Sequence, residues 1–511
     1  MQWTHKNEKT IMLCFCMISV LFWGMAAHGY GFLHSSFSHD SLAEFNGAMG
    51  SDAWKIQLGR VLVPVYKSIF RTNLTLPWMC GLLSLVWIGL AVFLTAQILD
   101  LRNRTEVFLA AGVFAVNLTV TATAVTYLHD CDGNMFAMLC AAAAVYLWDR
   151  SRFGWIAGSA LLAMCMSIYQ SYLSVAIVLV LLCCMKRLLD GQTFAEVFRR
   201  GLRAVGMLLA GGVLYFLLLR ITWRITGITP ASGSSNSLDM MLTLTPRGIV
   251  RLIVETYADV YRRLFRVVTP YPQWLTRTAT GALLLVGVGS FAAGLKGKGK
   301  PEVLGCAVLA VLLPLGMNIV YVLSSGMVHD LMVYGIWLSY LAALLPVFRG
   351  ETAGGMKKAA RWICAGLTVF LLYANVQTAN VLHLKKDMEQ DAFLSYMTRV
   401  VYTMENCDGY TQGQTPVAFV GEPALRTIPG FEKYTRVTGA DESAVTGLSE
   451  QHRAQAYFRY VLDNPAVIAD SDVISRMEAD SRVEAMPSYP EKGSVAMIDG
   501  VLVVKLSQPA A

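Results

Sequence analysis

Apolar runs recur along the first three quarters of the chain, separated by short polar loops. They fall near residues 11–27, 77–99, 107–127, 134–148, 155–169, 171–185, 202–222, 279–295, 303–323, 331–347 and 361–379. A hydrocarbon core of roughly 30 Å takes about 20 apolar residues per helix, so the pattern predicts a mainly α, polytopic bundle of about eleven spans. The first run follows Lys6 and Lys9 in the manner of a signal peptide, and the many apolar runs after it favour a retained signal anchor.

Two non-spanning stretches keep a helical period. Within residues 28–76, Trp54, Leu58, Val61, Leu62 and Val65 share one face, with Asp52, Lys55 and Arg60 off it, which predicts an interfacial helix. Within residues 223–278, the Gly/Ser-rich loop TGITPASGSSNS precedes a second amphipathic helix over 246–268. There Ile249, Leu252, Ile253, Tyr257, Val260, Leu264 and Val268 form an apolar arc, opposite Arg251, Glu255, Asp259, Arg262, Arg263 and Arg266. After residue 376 the pattern becomes mixed. TPVAFV (415–420) reads as a strand, and VAMI-DG-VLVVKL (495–506) as a hairpin whose Asp499-Gly500 turn suits type I′ geometry. The expected organisation is a multi-span domain over 1–375 and a small α/β domain over 376–511.

Charge gives this bundle an orientation. Lys6 and Lys9, Arg102 and Arg104, Arg150 and Arg152, Lys186 and Arg187, Lys296 to Lys300, and Arg349 to Arg361 occupy every second loop. The intervening HDCDGN (129–134), YQSY and SSGMVHD (324–330) carry no lysine or arginine. Short basic loops stay cytoplasmic, so the N-terminus is expected inside and the tail outside. Composition agrees: 55% of the 511 residues are hydrophobic and 15% charged, more apolar than a soluble core requires. The net charge of +7 is spread over separate loops, with no basic stripe carrying stacking aromatics, and does not point to nucleic acid. Ten of the eleven cysteines lie in or beside apolar runs, with Cys407 alone in the tail, so no disulfide framework is legible. The CxC and CC pairs lack histidines nearby and do not read as a metal site. Of the NxT sequons, Asn103 falls inside and Asn117 within a span, which favours chance occurrence.

No GxGxxG, Walker, HExxH or GxSxG pattern occurs. The candidate chemistry therefore rests on ionisable residues at the outer ends of spans, where a charge near hydrocarbon is costly and tends to be functional. Three groups qualify: His39-Asp40-Glu44, His129-Asp130-Asp132 and His329-Asp330. Arg262, Arg263 and Arg266 could fork onto phosphate oxygens, or simply hold lipid headgroups. Tyr169-Gln170 sits in a forced turn, either capping it or presenting a ring and an amide to a sugar. Glycosyl transfer from a lipid-linked sugar phosphate needs a carboxylate to take the acceptor proton and cations to receive the departing phosphate. This chain places both on one side.

Trp54 to Arg60 (W-x-x-x-x-GR), YLHDCDGNMFA, SIYQSYLSVAI and the tail's YPEKGSVAMIDGVLVVKL together resemble the Gtr type II family of membrane glucosyltransferases, which modify O antigen in bacteria. The resemblance implies a GT-C-like fold in the bacterial cytoplasmic membrane, a polyprenyl-phosphate sugar as donor, glucose foremost, and an acceptor glycan on the outer face. It also implies a small lipid-sugar flippase and a donor-making synthase as functional partners, with membrane lipids around the bundle. Asp40 with Glu44 would supply the base, Asp52 standing behind them and Asp130 and Asp132 next. His39 stands where a paired aspartate is the more familiar pattern. His39, Asp52, Arg60, His129, Tyr169, Gln170, Arg262, Arg263, Arg266, His329 and Asp330 are the expected substrate contacts. One base and a phosphate leaving group suffice for an inverting, cofactor-free and metal-independent transfer, although clustered carboxylates could hold a divalent ion. A flippase or transporter, or a glycan polymerase, is the rival reading. No internal repeat and no paired broken spans support the transporter.

Overall fold

The computed structural model describes residues 8–34, 38, 41–42, 48–231, 245–349, 355–423, 429–440, 448 and 451–508. His39, Asp40 and Glu44 lie outside the described residues, as does the second half of the Gly/Ser-rich loop. The chain is mainly helical. In order come α1 (Glu8–Leu33), α2 (Ala48–Gln57), α3 (Val63–Phe70), α4 (Pro77–Leu99), α5 (Arg104–Ala115), α6 (Leu118–Thr126), α7 (Leu128–Arg150), α8 (Gly154–Tyr169), α9 (Leu173–Leu189) and α10 (Phe194–Thr226). These are followed by α11 (Pro246–Phe265), α12 (Gln273–Gly294), α13 (Lys300–Met317), α14 (Ile319–Leu323), α15 (Tyr334–Phe348) and α16 (Gly355–Glu405). Among the described residues, eight helical segments are long and apolar enough to cross a membrane, or nine if the bent α5–α6 pair counts as one.

Helix α7 lies between α4 and α8. Close packing uses small residues, as bilayer helices commonly do: a Cβ on Gly287 of α12 would come within 2.7 Å of the Ala343 Cα of α15. Two expected spans are broken. The run 107–127 bends by 42° between α5 and α6. Asn117 makes that break tolerable, because its Nδ2 donates to Val113 O (2.9 Å) and Phe114 O (3.2 Å) while its Oδ1 accepts from Val120 N (3.1 Å). Backbone groups freed inside a membrane must be satisfied locally, so this buried sequon asparagine is a cap. The run 303–323 breaks at Asn318, whose Nδ2 donates to Asp259 (2.9 Å). Segments α8 and α9 together resemble one long apolar stretch. However, Tyr169 is extended (φ −156°, ψ 112°) before the short 3-10 turn Gln170–Tyr172, and Arg187 of α9 pairs with Asp149, five residues before α8 begins. A continuous helix would separate those two by about 50 Å, so the chain reverses at YQSY.

Loop ends gather at two poles. One joins Asp149 to Arg187 and Arg200, and Asp190 to Arg349; the other joins Lys55 to Asp130 and Arg263 to Asp330. The tail sits on the second pole. Helix α16 runs unbroken for 51 residues through the expected 375/376 boundary, carrying Phe393, Tyr396, Met397 and Val400 into the core of the tail. That core also takes Leu42 from the segment between α1 and α2. Strands β1 (Pro416–Val420), β2 (Val467–Ile468), β3 (Val495–Ile498) and β4 (Val501–Lys505) form a sheet in the order β2-β1-β4-β3, parallel about β1 and antiparallel at the β3–β4 hairpin. Asp499 (φ 48°) and Gly500 (φ 80°) both take the left-handed backbone that a type I′ turn requires, as the sequence predicts. Helices α17 (Gln451–Tyr460), α18 (Ser471–Glu478) and α19 (Ser481–Ala485) complete the α/β unit.

The two amphipathic stretches differ from their simple patterns. The first is two helices, broken at Gly59 (φ 79°), with Lys55 buried rather than turned to solvent. Helix α11 forms as expected and buries Leu252, Val260 and Leu264. It is rotated so that Thr256 and Asp259 are also buried, because Asn318 and Arg263 both bind the Asp259 carboxylate.

Candidate active site

The end of α2 explains how two cations come to share one target. Gly59 N donates to Ile56 O (3.0 Å) and Arg60 N to Lys55 O (2.8 Å). With Gly59 left-handed, these are the two bonds of a Schellman C-cap. That cap brings the residues at its two ends, here Lys55 and Arg60, onto one side, where a pair of apolar residues usually meets. Both face α7: Lys55 Nζ bonds Asp130 Oδ2, and Arg60 Nη1 lies 3.8 Å from the same oxygen. His129 Nε2 is 3.7 Å from it.

Asp132 is two residues on, about 200° around the helix, so it faces another partner set. Arg71, the residue that ends α3, donates through Nε to Asp132 Oδ2 (2.9 Å), and Tyr66 Oη donates to it at 3.0 Å. Trp87 Nε1 donates to Tyr66 Oη (2.9 Å). Burial pushes the Tyr66 phenol well above its usual range, and the neighbouring Asp132 carboxylate adds to the shift, which keeps Tyr66 a neutral donor. Arg71 also donates to Thr72 O, Leu74 O and His129 O. The N-terminal turn of α7 favours negative charge through the helix dipole, so Asp130 sits where the backbone helps to hold it.

Around them lies a cavity of about 290 Å³, whose lining includes Trp54, Lys55, Arg60, Tyr127, Asp130, Tyr169, His329 and Arg453. A second space, with room for about one water, is lined by Arg60, Lys67, Arg71, His129, Asp130 and Asp132. Among the described lining residues, Lys55, Arg60, Lys67, Arg71 and Arg453 outnumber the carboxylates Asp130 and Asp132. Moreover, Asp130 Oδ1, Asp132 Oδ1 and Arg60 Nε are buried without a hydrogen-bond partner among the described residues. Buried polar atoms are nearly always satisfied, so a cluster of bare ones beside a cationic cavity marks a place where another polar molecule belongs.

The remaining predicted residues separate. Tyr169 lines the cavity, and its ring carries the Arg60 guanidinium 4.3 Å from the centroid. Gln170 instead ties the turn down, its Nε2 donating to Leu58 O (3.0 Å) and Tyr215 Oη (2.9 Å). His329 reaches the cavity. Asp330 does not line it but clamps the tail: Oδ2 accepts from Thr438 N (2.9 Å) and Oγ1 (3.0 Å), while Arg263 binds Oδ1. Arg263 is thus committed to Asp259 and Asp330, whereas Arg262 and Arg266 are exposed on α11, away from the cavity lining. Asp52 lies on α2, half-buried and outside the lining. No group of three or more His, Cys, Asp or Glu among the described residues could hold a metal ion, and the eleven cysteines are free thiols.

Lys55, Lys67, Arg71, Tyr66 and Arg453 are the site residues that pattern reading missed. A signal was present for most of them: residues 28–76 fall on the predicted outer side, yet carry Lys55, Arg60, Lys67 and Arg71. Cations that defy the topogenic rule have another reason to be there. Arg453 had no such signal, since only the fold brings α17 over the cavity.

Comparison with known proteins bears on this site. No curated protein and no solved structure matches the chain. The family model described as Glucosyl transferase GtrII matches residues 29–349, which include every lining residue named above except Arg453. This membrane-spanning chain, with a cationic, carboxylate-bearing cavity at one pole, belongs to the GtrII glucosyl transferase family.

Proposed function

We propose that the protein takes glucose from a polyprenyl-phosphate donor and transfers it to an acceptor glycan, O antigen foremost, on the outer face of the cytoplasmic membrane. The observation that carries this reading is the pair of adjoining spaces, one lined by Lys55 and Arg60 and the other by Arg60 and Lys67, beside carboxylate oxygens that lack partners among the described residues. A sugar phosphate releases a dianionic monoester as it reacts, and preorganised cations stabilise that developing charge most effectively where water is excluded. Asp130 and Asp132 hold those cations in place. Trp54 and Tyr169 offer ring faces to a sugar, and Arg453 closes the space from the tail. Asp40, with Glu44 beside it, takes the acceptor proton, and His39 and His329 contact the substrates. Inversion follows from a single displacement by the acceptor hydroxyl, with no covalent nucleophile and no metal. The exposed Arg262 and Arg266 rest against lipid headgroups.

The reversal at YQSY and the short apolar α15 support eleven crossings, with the arginine-rich pole in the cytoplasm and the cavity and tail outside.

Transfer of labelled glucose from polyprenyl-phosphate glucose to acceptor glycan, by reconstituted full-length protein, tests the reading. We expect Asp40→Asn to lower kcat by about 10²-fold or more with donor KM little changed. Arg60→Gln should raise donor KM by about tenfold, and a chelator should leave transfer intact. A wild-type protein that transfers nothing when donor and acceptor are verified, yet moves lipid-linked glycan across vesicles, would replace this reading with transport.

A further inference from the structure

At the pole opposite Asp130, the 23 residues of α7 away, a cleft of about 730 Å³ opens where the α7–α8 turn meets the start of α10. Arg152 reaches it from the turn, and Arg199, Arg200 and Arg203 from the first three turns of α10. Among the described lining residues the only carboxylate, Glu196, is taken up by a capping box: Thr193 N donates to Glu196 Oε2 (3.0 Å) and Glu196 N to Thr193 Oγ1 (3.4 Å). Arg200 keeps a long hydrogen bond to the Asp149 carbonyl (3.4 Å) and a distant pairing with its carboxylate (3.9 Å), and Arg203 makes no ion pair or hydrogen bond among the described residues. Arg199 and Arg203 are one turn apart, so their like charges repel along the helix. Topogenic charge alone does not call for such convergence, since single basic residues in each loop satisfy the positive-inside rule.

Beside this cationic row runs an apolar one. Leu202 (56% exposed), Val205 (51%) and Leu209 (68%) continue down α10, and Ile156 of α8 is likewise exposed (56%). The site is therefore amphiphilic, with guanidinium donors at the membrane end and a hydrocarbon-facing stripe leading away from it. Guanidinium groups bind phosphate oxygens in bidentate fashion. We propose that this cleft binds the phosphate headgroup of an anionic phospholipid, whose acyl chains lie along α8 and α10. It is a lipid site separate from the donor cavity, and it does not depend on the glucosyl-transfer reading.

The test uses the full-length protein in neutral detergent, with the melting temperature read after adding phosphatidylglycerol, phosphatidylcholine or inorganic phosphate. Phosphatidylglycerol should raise the wild-type melting temperature in a saturable way, and phosphatidylcholine should not. The combined Arg152→Gln, Arg199→Gln and Arg203→Gln variant should lose most of that response while keeping its transfer rate in phosphatidylcholine. Arg203→Gln alone provides the same comparison should the triple variant fold poorly, with co-purified lipid phosphorus as a second readout. An unchanged response in the variants overturns the proposal, and so does an equal shift from inorganic phosphate at matched concentration, which would mark the cleft as a site for a free anion.

Discussion

Helix α7 carries an aspartate among arginines at each end, and the two ends do different work. At the C-terminal end Asp149 binds Arg187 through Nε (3.1 Å) and Nη2, takes Cys183 Sγ at 3.4 Å, and has Arg200 nearby. All these contacts meet at Oδ1, and neither Asp149 carboxylate oxygen is both fully buried and without a partner among the described residues. At the N-terminal end Asp130 and Asp132 are also buried, yet each keeps one fully buried oxygen without a partner among the described residues, beside a cavity with surplus cations. Burial and ion pairing are common to both ends, so neither distinguishes a strut from a site. What distinguishes them is unfinished hydrogen bonding next to space for another molecule.

The largest effects should fall on this contrast. Asp149→Asn and Asp130→Asn each strand buried cations, and breaking such a pair costs about 3–5 kcal/mol, so both should lower the melting temperature. Measured per folded molecule, Asp149→Asn should transfer glucose at close to the wild-type rate, whereas Asp130→Asn should lose donor affinity by about tenfold or more. Equal activities in the two variants would break the comparison.

A smaller change sharpens it within the site. Tyr66→Phe removes the second donor to Asp132 and leaves Arg71 in place. A single hydrogen bond to a charged group is worth about 1.5–3 kcal/mol, so chemical denaturation should show that loss, with transfer reduced only a few-fold. An activity loss as large as that of Asp130→Asn would make Asp132 a substrate contact and not a strut.

The smallest effect lies in the tail and serves as a control for a solvent-exposed pair. Arg482 holds Asp480 by side-chain and backbone hydrogen bonds, and the Asp480 pKa is lowered to about 2. A depressed carboxylate favours folding above its unfolded pKa of about 3.9 and loses that contribution as pH falls towards 2. Arg482→Gln should raise the Asp480 titration only part of the way towards its free value, since the backbone N–H of residue 482 still donates to it, as followed by NMR, with little change in stability at neutral pH because exposed pairs contribute little.

Much of this architecture was legible because hydrophobic runs and loop charge report directly on solvent. The long apolar helices, the amphipathic α11, β1 and the 499–500 hairpin follow from period and turn chemistry in contiguous residues. The single interfacial helix expected around Trp54 was not found, because Gly59 takes a left-handed backbone and ends it, and the same glycine turns Lys55 and Arg60 together. His129-Asp130-Asp132 could be marked from the sequence as a charged group at a span end. That Asp130 and Asp132 take separate cation sets could not, since their partners lie some 60 to 75 residues earlier in the chain. The equally plausible arginine cluster on α11 divides in three dimensions, with Arg263 spent on Asp259 and Asp330 and the others exposed.

By itself, then, the sequence determined a polytopic helical bundle, its charge-alternating loops and the polar tail, because bilayer and water act on each segment separately. Only the tertiary structure decided which cations face which carboxylates, that Arg453 of the tail lines the cavity, and that two oxygens there are left bare. Those facts depend on how distant segments share one small volume, and no local pattern encodes that distance.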